Sequence, residues 1–281
     1  MTDQPTNRVL PDPASPIGVF DSGVGGLSIL RHILQQLPHE NLLYLADSGY
    51  APYGEKSEKL VIERSLAIAQ FLLDSGCKAL VVACNTATAA AIKLLRDQYP
   101  QIPIVGVEPG LKPAAVLTAS GTVGVLATER TLSSDKFRQL RDQLAATTGV
   151  RFLSQPCNGL ADLIEHDELD STTTVALIER LVAPLVAQQA DTLVLGCTHY
   201  PFAQQIIRET AIKSGSKSVQ IIDTGEPVAR QLARLLAQHR LENPNAEAAT
   251  LTACTTGEPA ALSAAFDKLL QKQPHITQVA V

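Results

Sequence analysis

The chain has 281 residues, 45% of them hydrophobic and 18% charged, with a formal net charge of −5. This is ordinary globular composition, enough for one or two domains with a sizeable core, and its acidic balance argues against nucleic-acid binding through overall positive charge. Tryptophan is absent and aromatics make up 4%, so a stacking platform for bases is not expected, and no apolar run reaches the ~20 residues of a membrane span.

The opening stretch MTDQPTNRVLPDPASP is polar and proline-rich, without the apolar centre of a signal peptide, and predicts a disordered extension over 1–16. The five cysteines are an odd number in no small disulfide framework, which suits a reduced, cytoplasmic protein. From residue 17 onward, strand and helix patterns alternate. Strands are predicted at about 17–21, 42–46, 79–83, 103–107, 122–126, 150–154, 191–195 and 219–222. Helical patterns lie between them, near 26–37, 57–74, 86–97, 131–146, 171–188 and 225–238, and about 249–281 reads as strand, helix, strand with a structural role. Continuous apolar strands such as Leu80-Val81-Val82 suit parallel sheets covered on both faces, so the expected class is doubly wound α/β.

Two segments repeat. Ile17-Gly18-Val19-Phe20-Asp21-Ser22 resembles Val123-Gly124-Val125-Leu126-Ala127-Thr128, and ALVVACNTATA around Cys84 resembles TLVLGCTHYP around Cys197. The order is the same in both halves. The duplication predicts two similar domains with mainly parallel sheets, related by a pseudo-twofold axis, and a site in the cleft between them. The expected division is 17–108 plus 223–281 for the first domain and 109–222 for the second. Glu108-Pro109-Gly110 and Asp223-Thr224-Gly225 would be the crossings. Ligands of such folds sit at the carboxyl ends of strands, where Asp21, Asp47, Cys84, Thr128, Cys197 and Asp223 fall.

Cys77, Cys157 and Cys254 read as small buried hydrophobes. Cys84 and Cys197 are different, because each ends a strand just before a helix start, where N–H groups favour a thiolate. Lowering a thiol from ~8.5 by one unit takes about 1.4 kcal/mol, within reach of one helix terminus. His199 lies two residues past Cys197, close enough to assist it. Asp21 occupies the matching loop of the first half, where the second half has Ala127, so the half-sites are unequal. Asp21-Ser22-Gly23-Val24-Gly25-Gly26 is not a dinucleotide fingerprint, since its third glycine would fall at Ser28, and no Walker A lysine is present. Such a turn ahead of a helix still predicts an anion cradle, and Pro52-Tyr53-Gly54 offers a second. Cys84, Cys197, His199 and Asp21 could in principle hold zinc, but no CxxC or HxxxH spacing supports a metal. A nonenzymatic two-domain binder and a redox or zinc protein are the alternatives from other classes. The first would not need two matched thiols at strand ends.

GVFDSGVGGLS, ADSGYAPYGEKS, VVACNTATA, GVLAT, LVLGCTHYP and IDTGEPVA, in that order, resemble the glutamate racemase branch of the aspartate/glutamate racemases from about Ile17 onward. The resemblance implies a cofactor-independent, two-base interconversion of L- and D-glutamate that supplies D-glutamate for peptidoglycan. Cys84 and Cys197 would transfer the protons, with Asp21 supporting Cys84 and His199 supporting Cys197. Cys197 would act on L-glutamate and Cys84 on D-glutamate. Glu165 would be the auxiliary acid near the second half-site, on a looser match. Asp21, Ser22, Pro52, Tyr53, Gly54, Asn85, Thr86, Thr128, Thr198 and His199 would contact substrate. It further implies no cofactor, no metal, no membrane or nucleic-acid partner, a homodimer, and activation by UDP-MurNAc-L-Ala. A racemase for aspartate or another amino acid is the alternative of the same chemistry. Gly49 and Glu129-Arg130 depart from the usual pattern in their loops.

Overall fold

A computed structural model describes residues 12–245 and 249–281. The elements run β1 (Ile17–Asp21), α1 (Leu27–Gln36), β2 (Leu42–Ala46), α2 (Glu58–Asp74), β3 (Ala79–Val82), α3 (Asn85–Gln98), β4 (Ile104–Gly106) and α4 (Leu111–Leu117). They continue with β5 (Thr122–Ala127), α5 (Glu129–Ser133), α6 (Asp135–Thr148), β6 (Arg151–Pro156), α7 (Leu160–Glu165), α8 (Thr172–Ala187), β7 (Thr192–Gly196), α9 (Gln204–Lys213) and β8 (Gln220–Ile222). The last are α10 (Gly225–His239), β9 (Leu251–Thr255), α11 (Pro259–Leu270) and β10 (His275–Gln278).

Two parallel sheets result. One has the order β10-β9-β2-β1-β3-β4, the other β6-β5-β7-β8. The run β2-β1-β3-β4 therefore recurs, element for element, as β6-β5-β7-β8. The register repeats as well: Val19 pairs with Val81, and Val125 with Val194, each three residues before a cysteine. Every residue of β1, β3, β5 and β7 is buried. Such strands hold mostly apolar side chains on both faces, with polar residues such as Asp21, Thr122 and Thr192 at their ends, which is why they read as apolar runs.

The chain passes to the second sheet after β4 and returns after β8, when α10 packs on α1. Both helices present an apolar stripe, Leu27-Leu30-Ile33 on α1 and Val228-Leu232-Leu236 on α10, and these share one core with β1 and β2. A fully buried Lys78 reaches Glu40 at 2.5 Å, and Glu40 in turn accepts the Asn243 N–H at 2.8 Å. This pair ties together the sheet edge farthest from the strand carboxyl ends.

Three expectations need correction. Residues 1–11 of the expected disordered extension lie outside the described residues, but 12–16 are held in place. Pro13 O and Pro16 O accept from Lys78, and Ala14 O accepts from Asn41 Nδ2. The helix expected at 131–146 is two helices, because Ser134 leaves the helical region (φ −66°, ψ 142°) and caps α6 through the Phe137 N–H at 3.2 Å. Helices α4, α7 and α9 were not expected; two of them are under two turns long, too short to show a period.

Candidate active site

The carboxyl ends of β1, β3, β5 and β7 bring most of the expected site residues to one buried centre. Cys84 is the N-cap of α3, its sulfur accepting the Ala87 N–H at 3.5 Å and approaching Ser22 Oγ at 3.9 Å. Cys197 follows β7. Its sulfur lies 3.7 Å from His199 Nδ1, and the chain continues into a 3-10 turn at Tyr200–Ala203 rather than directly into an α-helix. The two thiols are close enough for the charge of Cys197 to be felt at Cys84. They are 5% and 7% exposed, so the centre is closed to bulk water.

Asp21 sits between the halves. Its carboxylate accepts the Gly23 N–H at 3.1 Å and the Thr198 hydroxyl at 3.2 Å, and Ser28 Oγ donates to Thr198 O at 2.8 Å. Glu165, the loosest of the expectations, has the most partners. It binds His199 Nε2 at 2.7 Å, the Val24 N–H at 2.9 Å and Ser48 Oγ at 3.2 Å. It thus links α7 of the second half to two loops of the first. Here the glycines have a steric purpose: a Cβ on Gly23 would stand 2.2 Å from Glu165 Oε1, and one on Gly25 would stand 2.4 Å from His199 Nδ1. The loop was expected to cradle a ligand anion, yet its Gly23 and Val24 N–H groups are taken by the protein's own carboxylates.

The remaining wall is made by hydroxyls and one free amide. Thr86 and Thr128 meet across the halves at 3.2 Å. Asn85 is 3% exposed, and its Nδ2 has no partner among the described residues. The Tyr53 hydroxyl is engaged within the protein: it donates to Asp47 at 2.5 Å, and Arg64 grips that carboxylate at 2.8 and 2.9 Å. Pro52, Tyr53 and Gly54 therefore form a braced wall, against which α5 packs. Ser48, Tyr44 (donating to Gly23 O at 2.6 Å) and Tyr200 were not anticipated; only Ser48 carried a signal, its place beside strand-end Asp47.

The electrostatics run against the expected thiolate at Cys84. Burial pushes the Cys84 thiol up, Asp21 adds to this, and the Ala87 N–H only partly opposes it. Burial disfavours charge on His199, but its bonds to Cys197 and Glu165 outweigh that and hold the imidazolium well above the usual range. Burial also opposes charge on Glu165, yet the His199 hydrogen bond and charge leave its carboxyl lowered.

Asp21 is pushed up from 3.8 to about 6, chiefly by burial. The sign follows: the folded state binds this proton more tightly, so stability is full at low pH and falls as pH rises from 3.8 through about 6. A shift of about two units is worth up to about 3 kcal/mol. Asp21→Asn is therefore expected to be more stable than the native protein at pH 8, with the gap closing near pH 4, while losing activity. Denaturant unfolding at the two pH values checks this; equal or lower stability of the variant at pH 8 would refute it.

The profile of the Asp/Glu/Hydantoin racemase family matches residues 17–232. The chain belongs to this racemase family. A glutamate racemase from Ectopseudomonas mendocina is 56% identical over 227 residues, covering 81% of this chain and 84% of that protein. Among solved structures, a glutamate racemase isoform from Bacillus anthracis superposes with a TM-score of 0.84 at 32% identity, covering 95% and 98% of the two chains. The Escherichia coli glutamate racemase in complex with L-glutamate and the activator UDP-MurNAc-Ala gives 0.80 at 31%, covering 95% and 99%. The racemase fold in these relatives agrees with the two-sheet α/β architecture above.

Proposed function

We propose that this racemase interconverts L- and D-glutamate by a two-base reaction between Cys84 and Cys197, without a cofactor. The carrying observation is a pair of buried thiols at the corresponding strand ends of the two repeats, within electrostatic reach of each other. One thiolate removes the α-proton from one face while the opposite thiol delivers a proton to the other. Each turnover exchanges the two protonation states, so a reversible reaction needs no separate reset of geometry. Cys197 is assigned to L-glutamate and Cys84 to D-glutamate.

The carbanion formed beside a carboxylate must be met by fixed donors. The unpartnered Asn85 amide, with Thr86 and Thr198, is read as the holder of the α-carboxylate; such preorganised donors can each be worth ~3–4 kcal/mol. Ser22, Pro52, Tyr53, Gly54 and Thr128 bound the rest of the substrate. Asp21 serves Cys84 while bonded to Thr198, and His199, held by Glu165, serves Cys197. Because the thiols are buried, the halves must part to admit substrate. A cavity of about 340 Å³ lies beside the two crossings, lined by Glu108, Pro109, Gly110, Asp223 and Thr224. The division into domains 17–108 plus 223–281 and 109–222 is the corresponding mechanical reading.

The substrate assignment draws on relatives named as glutamate racemases and on the L-glutamate complex of the E. coli protein. The wider reading is a cytoplasmic homodimer supplying D-glutamate for peptidoglycan and activated by UDP-MurNAc-L-Ala. The deciding experiment is circular-dichroism racemisation of L-glutamate by purified protein without added cofactor. The optical signal should decay to zero, and L-aspartate should turn over far more slowly. Equal or preferred turnover of L-aspartate would reassign the substrate; unchanged kinetics with UDP-MurNAc-L-Ala would remove the activator.

A further inference from the structure

Ser28 stands out on α1 because its hydroxyl leaves its own helix. It is 2% exposed, in a first turn whose other members, Leu27, Ile29 and Leu30, are buried apolar side chains. A dinucleotide fingerprint would carry its third glycine at this position. A buried helical serine can satisfy itself on the carbonyl four residues back, as Ser65 does on Val61 O at 2.7 Å. Ser28 instead donates at 2.8 Å to Thr198 O, 170 positions away in the other half.

That bond helps to seat a single turn. The Thr198 hydroxyl donates at 3.2 Å to Asp21, which ends the strand before α1. The glycine turn between Asp21 and Ser28 makes close contact as well: a Cβ on Gly25 would stand 2.7 Å from Thr198 Oγ1 and 2.4 Å from His199 Nδ1. Cys197, Thr198 and His199 therefore rest on the first half, with Thr198 bound at both its side chain and its carbonyl.

The repeat provides its own comparison. Continuing the match of Asp21-Ser22 with Ala127-Thr128 places Ser134 opposite Ser28, and the match of Cys84 with Cys197 places Asn85 opposite Thr198. Yet Ser134 is spent inside its own half, donating to Thr131 O at 2.8 Å and accepting the Phe137 N–H at 3.2 Å. Asn85 receives no matching bond from it. The two thiol turns are thus seated unequally.

We infer that Ser28 is a positioning residue that seats the Cys197-Thr198-His199 turn on the first half as the cleft closes, and so sets the affinity for glutamate. This rests on the reading of Thr198 as a substrate contact in a cleft that opens and closes. In the open cleft water satisfies both the hydroxyl and Thr198 O, whereas in the closed, buried centre each needs the other. Ser28 acts through Thr198 and touches no reacting atom.

The test is Ser28→Ala, which removes one oxygen at a helical position that alanine favours, so the fold should persist. KM should rise roughly tenfold for each enantiomer while kcat changes by less than about twofold, because the lost bond accompanies binding rather than the chemical step. The enantiomers have equal free energy in solution, so kcat/KM must fall by the same factor in both directions. In thermal unfolding, a fixed glutamate concentration should raise the midpoint less for the variant than for the native protein. Ser134→Ala, the matched change, should lower the midpoint through its lost helix cap and leave KM at the native value. Native KM in Ser28→Ala would overturn the inference, even if the variant were less stable, and so would an equal rise of KM in Ser134→Ala. A native protein that fails to racemise glutamate would instead overturn the functional reading beneath it.

Discussion

Cys84→Ser and Cys197→Ser should each lower racemisation of glutamate by on the order of 10³-fold or more, the scale of losing a positioned general acid or base. Each substitution keeps a side chain of similar size at a strand end, so the fold should persist. What is lost is the group that can hold the proton. Cys84 is the informative case: burial and Asp21 push its thiol up, which suits delivery of a proton when L-glutamate is the substrate. Steady-state racemisation of both enantiomers measures the effect, and full activity in both single variants would contradict the scheme. The loss must appear equally in kcat/KM for both directions, although kcat and KM can separate.

The second large effect is expected at Glu165. Glu165→Gln leaves the His199 imidazolium without its 2.7 Å partner and weakens the bonds to Val24 and Ser48 that join the halves. Hydrogen bonds to a charged group are worth about 1.5–3 kcal/mol, so a fall of roughly 10²-fold in kcat/KM is expected. Stability should follow. His199 is raised from 6.5, so its contribution is full below that value and is lost only as pH rises through the folded value. Glu165 is lowered from 4.5, so its contribution is present above that value and is lost as pH falls through its folded value. The native protein should therefore exceed the variant in stability most between 4.5 and 6.5, with the gap narrowing at strongly alkaline and strongly acid pH. Unfolding midpoints across pH test this; a pH-independent gap would mean that the pair is not ionised.

The fold was legible wherever one local rule decided it. Apolar runs such as Leu80-Val81-Val82 had to be buried strands, and the recurrence of Ile17–Phe20 at Val123–Leu126 and of Ala79–Val82 at Thr192–Leu195 revealed the duplication that the two sheets display. Ser134 shows where local reading stopped, since one extended residue divides a periodic stretch into two helices. The site was legible for residues adjacent in sequence, such as Cys197 and His199. Glu165 is another matter: its bond to Val24 spans 141 positions, and only the folded arrangement shows that it closes the site. The direction of the Cys84 shift was misread for a related reason. A helix start is visible in the sequence, but the complete burial that outweighs it is not.

The central claim is that two thiols act on opposite faces of one carbon. The most direct measurement is racemisation of protiated L-glutamate in D₂O, with both enantiomers separated and analysed at low conversion. D-glutamate should form fully deuterated at the α-carbon while the remaining L-glutamate keeps its proton, because the acid that completes the reaction is not the base that began it. Deuterium accumulating in recovered L-glutamate as fast as product forms, or product retaining the original proton, would show a single base and contradict the account.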